Sequence, residues 1–327
     1  MSSKLSQRTQ SLISRFAKQD IRALAQAISL VEDGEGEAAE LLSALSSRKG
    51  NARIIGITGP PGAGKSTLTA QFARRLLDRG ETVGMLLIDP SSPFTGGAIL
   101  GDRIRMTDLS GRSGLYIRSL GSRGSLGGLS AVTAQAIELL DFFGFENVIV
   151  ETVGTGQAET DIVETVDTVV VLAVPGMGDD IQAMKAGIME IADVFVVNKA
   201  DREGADRTAR QIGAALELGK REGRPVPPVI LTVAIKGEGL PELLEAVDQH
   251  TAHLRDSGEL HERRRRRSRR ELTNILGALF LRDFEDCFGE TLAEEIRRVV
   301  EGEGAVYAAA KALFTKYREE RMGGNAK

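Results

Sequence analysis

The chain has little sulfur or imidazole to work with: one cysteine, Cys287, and three histidines, His250, His253 and His261, in 327 residues. A single thiol builds no intramolecular disulfide framework, so a reducing compartment is the economical reading, and Cys287 reads as a small core residue rather than a nucleophile. Scarce histidine leaves no metal-gathering tract of the kind that metal-delivery proteins carry. His250 and His253 would share one helix face and bind a metal weakly at best. No apolar run exceeds strand length, far below the roughly 20 residues that cross a bilayer. The start Met1-Ser2-Ser3-Lys4 lacks the apolar core of a secretory signal. The expectation is a globular, cytoplasmic protein without a membrane partner. Charge of one sign is also missing: 42 basic against 46 acidic residues leave a net charge of −4, which argues against general nucleic-acid binding. There are no internal repeats.

What the chain does have is Gly59-Pro60-Pro61-Gly62-Ala63-Gly64-Lys65-Ser66, followed by Thr67. This spells a phosphate-binding loop, and it lies between an apolar strand (residues 53–58) and a segment of helical apolar spacing (66–77). Glycine-rich backbone N–H groups at a helix N-terminus converge on phosphate, and the helix dipole favours the anion. Lys65 would reach the terminal phosphates, and the Ser66 hydroxyl would ligate Mg²⁺.

A second apolar strand, Val194 to Val197, delivers Asn198-Lys199-Ala200-Asp201 at its carboxyl end, where ligands bind in open parallel sheets. The Asp201 carboxylate can accept from both N1–H and the amine of guanine, which makes GTP the expected nucleotide over ATP. Asn198 would tie this loop to the phosphate loop, and the Lys199 stem would lie over the base. On its own, Asp201 could equally be a helix cap. After the strand at 229–233, Val233-Ala234 stands where such GTPases usually carry Ser-Ala. The Ala234 backbone donor for the guanine oxygen survives, and the serine hydroxyl does not.

Between these motifs, the strand 147–150 ends in Glu151-Thr152-Val153-Gly154, in the place of the Asp-x-x-Gly segment of GTPases. Glu151 could hold a metal-bound water, and the Gly154 N–H could sense the terminal phosphate, although a polar residue at a strand end is common. Upstream, Asp89 ends a strand and opens a long glycine- and serine-rich loop that reaches Asp102. Both carboxylates could face the metal, or either could cap a helix.

Taken together, Glu151-Thr152-Val153-Gly154, Asp89-Pro90-Ser91-Ser92-Pro93-Phe94-Thr95-Gly96-Gly97, Gly101-Asp102-Arg103 and the run Pro175 to Gln182 resemble the MeaB/ArgK family of methylmalonyl-CoA mutase-associated GTPases. The resemblance covers nearly the whole chain. It implies a GTP-hydrolysing chaperone that gates adenosylcobalamin loading and protects or reactivates an acyl-CoA mutase. It also implies that Lys65, Asp89, Asp102 and Glu151 serve hydrolysis, with Ser66, Asp89, Asp102 and Glu151 on the Mg²⁺ side. Asn198 and Asp201 would read the base, and Pro175 to Lys185 would relay nucleotide state, with Lys185 a nucleotide contact. Asp179 and Asp180 could also simply occupy the first turn of a helix. Gln157 lies three positions beyond Gly154, so it is not assigned the water-positioning role of Ras-like GTPases, and slow intrinsic turnover is expected. Two rivals stand beside this function: a nickel-type metallocentre accessory GTPase and a phosphate-loop small-molecule kinase.

The expected fold is α/β: a phosphate-loop GTPase domain (51–256) with a mostly parallel sheet covered by helices on both faces, an N-terminal helical extension (1–50) and a C-terminal helical arm (257–327). The apolar stripe Leu272, Ile275, Leu276, Leu279, Phe280 and Phe284 would either pack onto the nucleotide domain or, as the resemblance implies, support a homodimer. Residues 263–270 carry seven arginines in eight positions. With Glu259, Glu262 and Glu271 in helical reach, they read as a solvated, ion-paired helix, with an acidic protein partner next and nucleic acid last.

Overall fold

The computed structural model describes residues 6–34, 36–48, 50–90, 109, 111–122, 131–152, 162–176, 188–219 and 225–323, with residues 89, 90, 122, 188 and 321–323 described in backbone only. The chain resolves into two compact units, Met1–Arg267 and Ser268–Lys327.

In the first unit, α1 (Gln7–Ala17), α2 (Ile21–Asp33) and α3 (Gly36–Leu45) precede β1 (Arg53–Thr58), α4 (Lys65–Asp78), β2 (Val83–Pro90), β3 (Leu115–Ser122), α5 (Ala131–Phe143) and β4 (Asn147–Glu151). Then come β5 (Thr168–Ala173), α6 (Ile188–Ile191), β6 (Val194–Asn198), α7 (Ala205–Leu218), β7 (Val229–Thr232) and α8 (Leu240–Asp256). The seven strands order β3-β2-β4-β1-β5-β6-β7, and every pairing is parallel.

Central strands that are buried on both sides need apolar residues at every position, and the sequence of β4, β5 and β6 supplies nearly that. Successive residues then serve opposite faces. Ile54, Val148 and Val150 join the core formed with α1, α2, α3, α5 and α7, whereas Ile55, Ile57 and Ile149 join the core formed with α4 and α8. The N-terminal helices are therefore part of the main core, with Phe16 edge-on to Phe143 of α5 at 5.1 Å. Local signals set their ends. Ser6 and Asp20 accept backbone N–H groups at the starts of α1 and α2, and Gly34, at φ 68°, closes α2.

The arginine run differs from its reading as a solvated face. It opens α9 (Glu259–Val300), and three of its members turn inward beneath the amino ends of β5 and β6. Arg263 makes two bonds to Asp193, at 2.8 and 2.9 Å, and a third to the Asp167 carbonyl at 2.8 Å. Arg264 bonds the Ala52 carbonyl (2.9 Å) and Asp167 Oδ2 (2.8 Å), and Arg267 bonds the Thr165 carbonyl at 2.9 Å. Arg265, Arg266 and Arg269 keep the predicted exposed character, Arg265 pairing with Glu262 at 2.9 Å. The physical reason is that Asp193 and Asp167 are buried just ahead of their strands and need charge partners. His250 belongs to the same cluster: its Nδ1 lies 2.9 Å from Thr168 Oγ1 and its Nε2 3.3 Å from Asp193, so both ring nitrogens are committed and it makes no metal site with His253.

The second unit contains the rest of α9 and α10 (Val306–Gly323). Phe284, Phe288 and Tyr317 form its small aromatic core, with centroids 5.4 to 5.9 Å apart, and Tyr317 donates to Asp283 at 2.6 Å. Phe284 thus leaves the expected stripe, while Leu272, Leu276, Leu279 and Phe280 are exposed. Cys287 is exposed rather than a core residue, because Phe284 and Phe288, one helical turn apart, occupy the inward face.

Candidate nucleotide site

The phosphate loop leaves β1 at Thr58 and enters α4 at Lys65. Two of its glycines hold backbone that other residues resist: Gly59 (φ 143°), where a Cβ would lie 2.6 Å from the Leu172 carbonyl oxygen, and Gly64 (φ 91°), where it would meet Asn198 Nδ2 at 2.5 Å. Gly64 caps α4 without a side-chain hydrogen bond, so the first-turn N–H groups at this helix start are offered to an anion. The Lys65 side chain is buried and curls over the loop, with Nζ donating to the carbonyls of Gly59 (2.8 Å) and Pro60 (3.1 Å). Those two carbonyls occupy the ammonium as phosphate oxygens would.

Ser66, also buried, donates from Oγ to Glu151 Oε1 at 2.7 Å. Glu151 is the last residue of β4 and stands in register with Ile57 of β1 and Leu87 of β2. A hydroxyl and a carboxylate brought together at the start of the phosphate-binding helix are hard oxygen donors, a set that fits Mg²⁺ and not a thiophilic metal.

On the base side, Asn198 does the tying expected of it. Its Nδ2 donates to the Ala63 carbonyl (2.8 Å), while its Oδ1 accepts from Thr232 Oγ1 and from the Ala234 N–H, both at 3.1 Å. The Ala234 donor, expected to meet the guanine oxygen, is thus held against Asn198. Lys199 takes a left-handed backbone (φ 59°), rare for a residue with a side chain, and its Nζ reaches the Gly62 carbonyl at 2.7 Å. The lysine stem therefore spans from the base loop to the phosphate loop. Asp201 is exposed, and Val233 is buried, its N–H bonded to the Glu238 carbonyl.

The structure so gathers Gly59, Pro60, Gly62, Ala63, Gly64, Lys65, Ser66, Glu151, Asn198, Lys199 and Ala234 by direct contacts. Pro61 and Thr67 lie in the same segment. Asp89 is placed by its backbone only, near the end of β2 and paired with Gly121 of β3. Asp102, Gly154 and Lys185 lie outside the described residues.

Residues 24–285 match the family model described as methylmalonyl-CoA mutase-associated GTPase MeaB. The chain belongs to the MeaB family of GTPases. Curated relatives agree in length as well as kind. A GTPase of Pyrococcus horikoshii is 47% identical over 308 residues, 93% of this chain and 97% of its own. GTPase ArgK of Escherichia coli is 36% identical, covering 86% of this chain and 89% of its own. The mouse protein named methylmalonic aciduria type A homolog, mitochondrial, is 32% identical over 90% of this chain and 76% of its own. Among solved structures, one described as an LAO/AO transport system kinase superposes with a TM-score of 0.72 at 25% identity, covering 97% of this chain and all of that one.

For a MeaB-family GTPase, three contacts at this site were invisible in the motifs. The Thr152 hydroxyl donates to that of Thr58 at 2.8 Å where the phosphate loop starts. Thr232 supports Asn198, and Leu172 sets the ceiling over Gly59. Threonine and leucine inside apolar strands read as sheet formers. Among the described residues no helix is long and apolar enough to cross a membrane.

Proposed function

We propose that this GTPase is the chaperone of an adenosylcobalamin-dependent acyl-CoA mutase of the methylmalonyl-CoA type, gating cofactor loading and protecting or reactivating the enzyme. The observation that carries this reading is the match of residues 24–285 to the mutase-associated family model. It works in the cytoplasm as a homodimer, with the exposed apolar residues Leu272, Leu276, Leu279 and Phe280 as the dimerising stripe.

In this reading Lys65 exchanges its two carbonyl acceptors for β- and γ-phosphate oxygens of GTP, and the uncapped start of α4 receives the phosphates. Ser66 and Glu151, with Asp89 and Asp102, hold Mg²⁺, which when bound neutralises charge developing on the phosphates. Asp201 accepts from guanine N1–H and its amine, Lys199 covers the base, and Asn198 keeps the two loops in register. Gly154 senses the terminal phosphate, Lys185 contacts the nucleotide, and the segment Pro175 to Lys185 reports nucleotide state to the mutase. No described group stands as a general base. Turnover of the isolated protein is accordingly slow and rises when the mutase binds.

The test is GTP hydrolysis, with ATP as control, by the protein alone and with an adenosylcobalamin-dependent acyl-CoA mutase from the same source. Stimulation confined to GTP, together with a stable complex, is the expected result. Tight guanine nucleotide binding without stimulation or complex overturns the chaperone reading. The likeness to the structure described as a transport system kinase favours phosphoryl transfer as the second reading. Labelled γ-phosphate appearing in a product other than inorganic phosphate would establish it.

A further inference from the structure

Thr58 and Thr152 are both buried, and their hydroxyls are 2.8 Å apart, with Thr152 donating. Every other side chain on β1 from Ile54 to Ile57, and on β4 from Val148 to Val150, is apolar or absent. Valine would serve a buried strand position at least as well, and an unpaired buried hydroxyl costs about 1–3 kcal/mol. The pair therefore has a positional meaning. Thr58 is the last residue before Gly59, and Thr152 is the first after Glu151. The Thr152 N–H also bonds the Ile57 carbonyl at 3.1 Å, carrying the β1–β4 pairing one residue beyond the ladder. The phosphate loop leaves the sheet at this cross-link, one residue from Glu151.

We propose that Thr58 and Thr152 are positioning residues for GTP hydrolysis: their hydroxyl bond fixes the distance from Glu151 to Ser66 and Lys65. The inference rests on Glu151 acting on the metal side, as read above. The bond at 2.7 Å between Ser66 and Glu151 joins α4 to the end of β4, and the β1–β4 junction lies directly beneath it, one residue from Glu151 and one from Gly59. Removing the hydroxyl bond leaves the Thr152 N–H bond to the Ile57 carbonyl to hold the residue after Glu151, and small misplacements of reacting groups are costly: roughly 1 Å can cost 100-fold in rate.

The experiment measures kcat, KM for GTP, thermal midpoint and the Mg²⁺-dependent gain in GDP affinity, the last by calorimetry, for Thr152→Val, Thr58→Val, the double variant, Thr152→Ser and Glu151→Gln. Thr251→Val is the control, because it removes a buried hydroxyl bond, to the Val247 carbonyl at 2.8 Å, on α8 away from the site. Each threonine-to-valine change at the pair is expected to lower kcat roughly tenfold with KM little changed and to shrink the Mg²⁺-dependent gain in GDP affinity. The double variant should be no worse than either single one, and Thr152→Ser should recover most of the rate. Thr251→Val should keep the wild-type kcat. A wild-type kcat in folded Thr152→Val, alongside an impaired Glu151→Gln, overturns the pair. Wild-type hydrolysis by Glu151→Gln overturns the reading beneath it, and additive losses in the double variant overturn the coupling.

Discussion

At the carboxyl edge of the sheet, Asn198, Thr232, Ala234 and Ala63 are joined by hydrogen bonds between neutral groups, and the lysines 65 and 199 lie against backbone carbonyls. At the amino edge, Asp193 and Asp167 are buried against Arg263, Arg264 and Arg267. Neutral bonds are worth about 0.5–1.5 kcal/mol each and can be traded for contacts to a ligand. Breaking a buried ion pair costs about 3–5 kcal/mol, because the remaining charge has no substitute for water. One edge is built to exchange partners and the other to keep them.

The largest expected effect breaks the amino edge. Arg263→Ala should destabilise the fold by about 3–5 kcal/mol in urea titrations, leaving Asp193 without its two-point partner. Burial pushes the Asp193 carboxyl up, but hydrogen bonds from Arg263 and His250 outweigh it and hold the group well below the usual carboxylate range. A depressed folded value means stability that is present above the unfolded pKa of about 3.9 and lost as pH falls toward the folded one. The wild-type advantage over Arg263→Ala should therefore shrink below about pH 4, as urea midpoints at pH 7 and pH 3 would reveal.

Next comes the carboxyl edge. Lys65→Ala should reduce GTP hydrolysis by about 10²–10³ while leaving the thermal midpoint near wild type, since its ammonium bonds the loop carbonyls of Gly59 and Pro60. A loss under tenfold, read by phosphate release, would remove Lys65 from the assignment. Asp201→Asn should cost GTP about 2 kcal/mol of binding, by leaving the guanine amine facing a donor, and should improve xanthosine triphosphate, whose carbonyl replaces that amine. Competition calorimetry with the two nucleotides checks it.

The smallest effect sharpens the contrast within the amino edge itself. Burial raises the Asp141 carboxyl above its ordinary value, more than the Ala52 N–H bond (2.7 Å) and Arg264 pull it down. A raised value means that the charged form is a burden at neutral pH, relieved as pH falls below that value. Asp141→Asn, which keeps an acceptor for Ala52, should raise the thermal midpoint slightly at pH 7 and lose the advantage near pH 3.

The exchanging edge was largely legible in the sequence, because anion binding demands glycine, lysine and a hydroxyl at fixed local spacing, and Gly59 through Ser66 meets it. Asn198 and Glu151 follow the same logic at strand ends. The keeping edge was not legible. Arg263 and Asp193 are 70 residues apart and Arg264 and Asp167 are 97 apart, while Glu259 and Glu262, within one turn, offered the run a closer partner. Asp167 and Asp193 themselves look like turn residues before strands, and nothing local says that the turn is buried. Thr58 and Thr152 failed to stand out for a similar reason, since threonine is at home in any strand and their meeting depends on β1 and β4 being neighbours. Cys287 misled because its helix buries only a narrow face.

The gap between Gly64 and Asn198 bears on how such a protein can change. A single methyl group on Gly64 would land 2.5 Å from Asn198 Nδ2, so the two positions, 134 residues apart, form one mutational unit. Because Gly64 also sits at φ 91°, shrinking Asn198 would not free it. A lineage drifting toward another base can vary Asp201 while Gly64 and Asn198 stay fixed together.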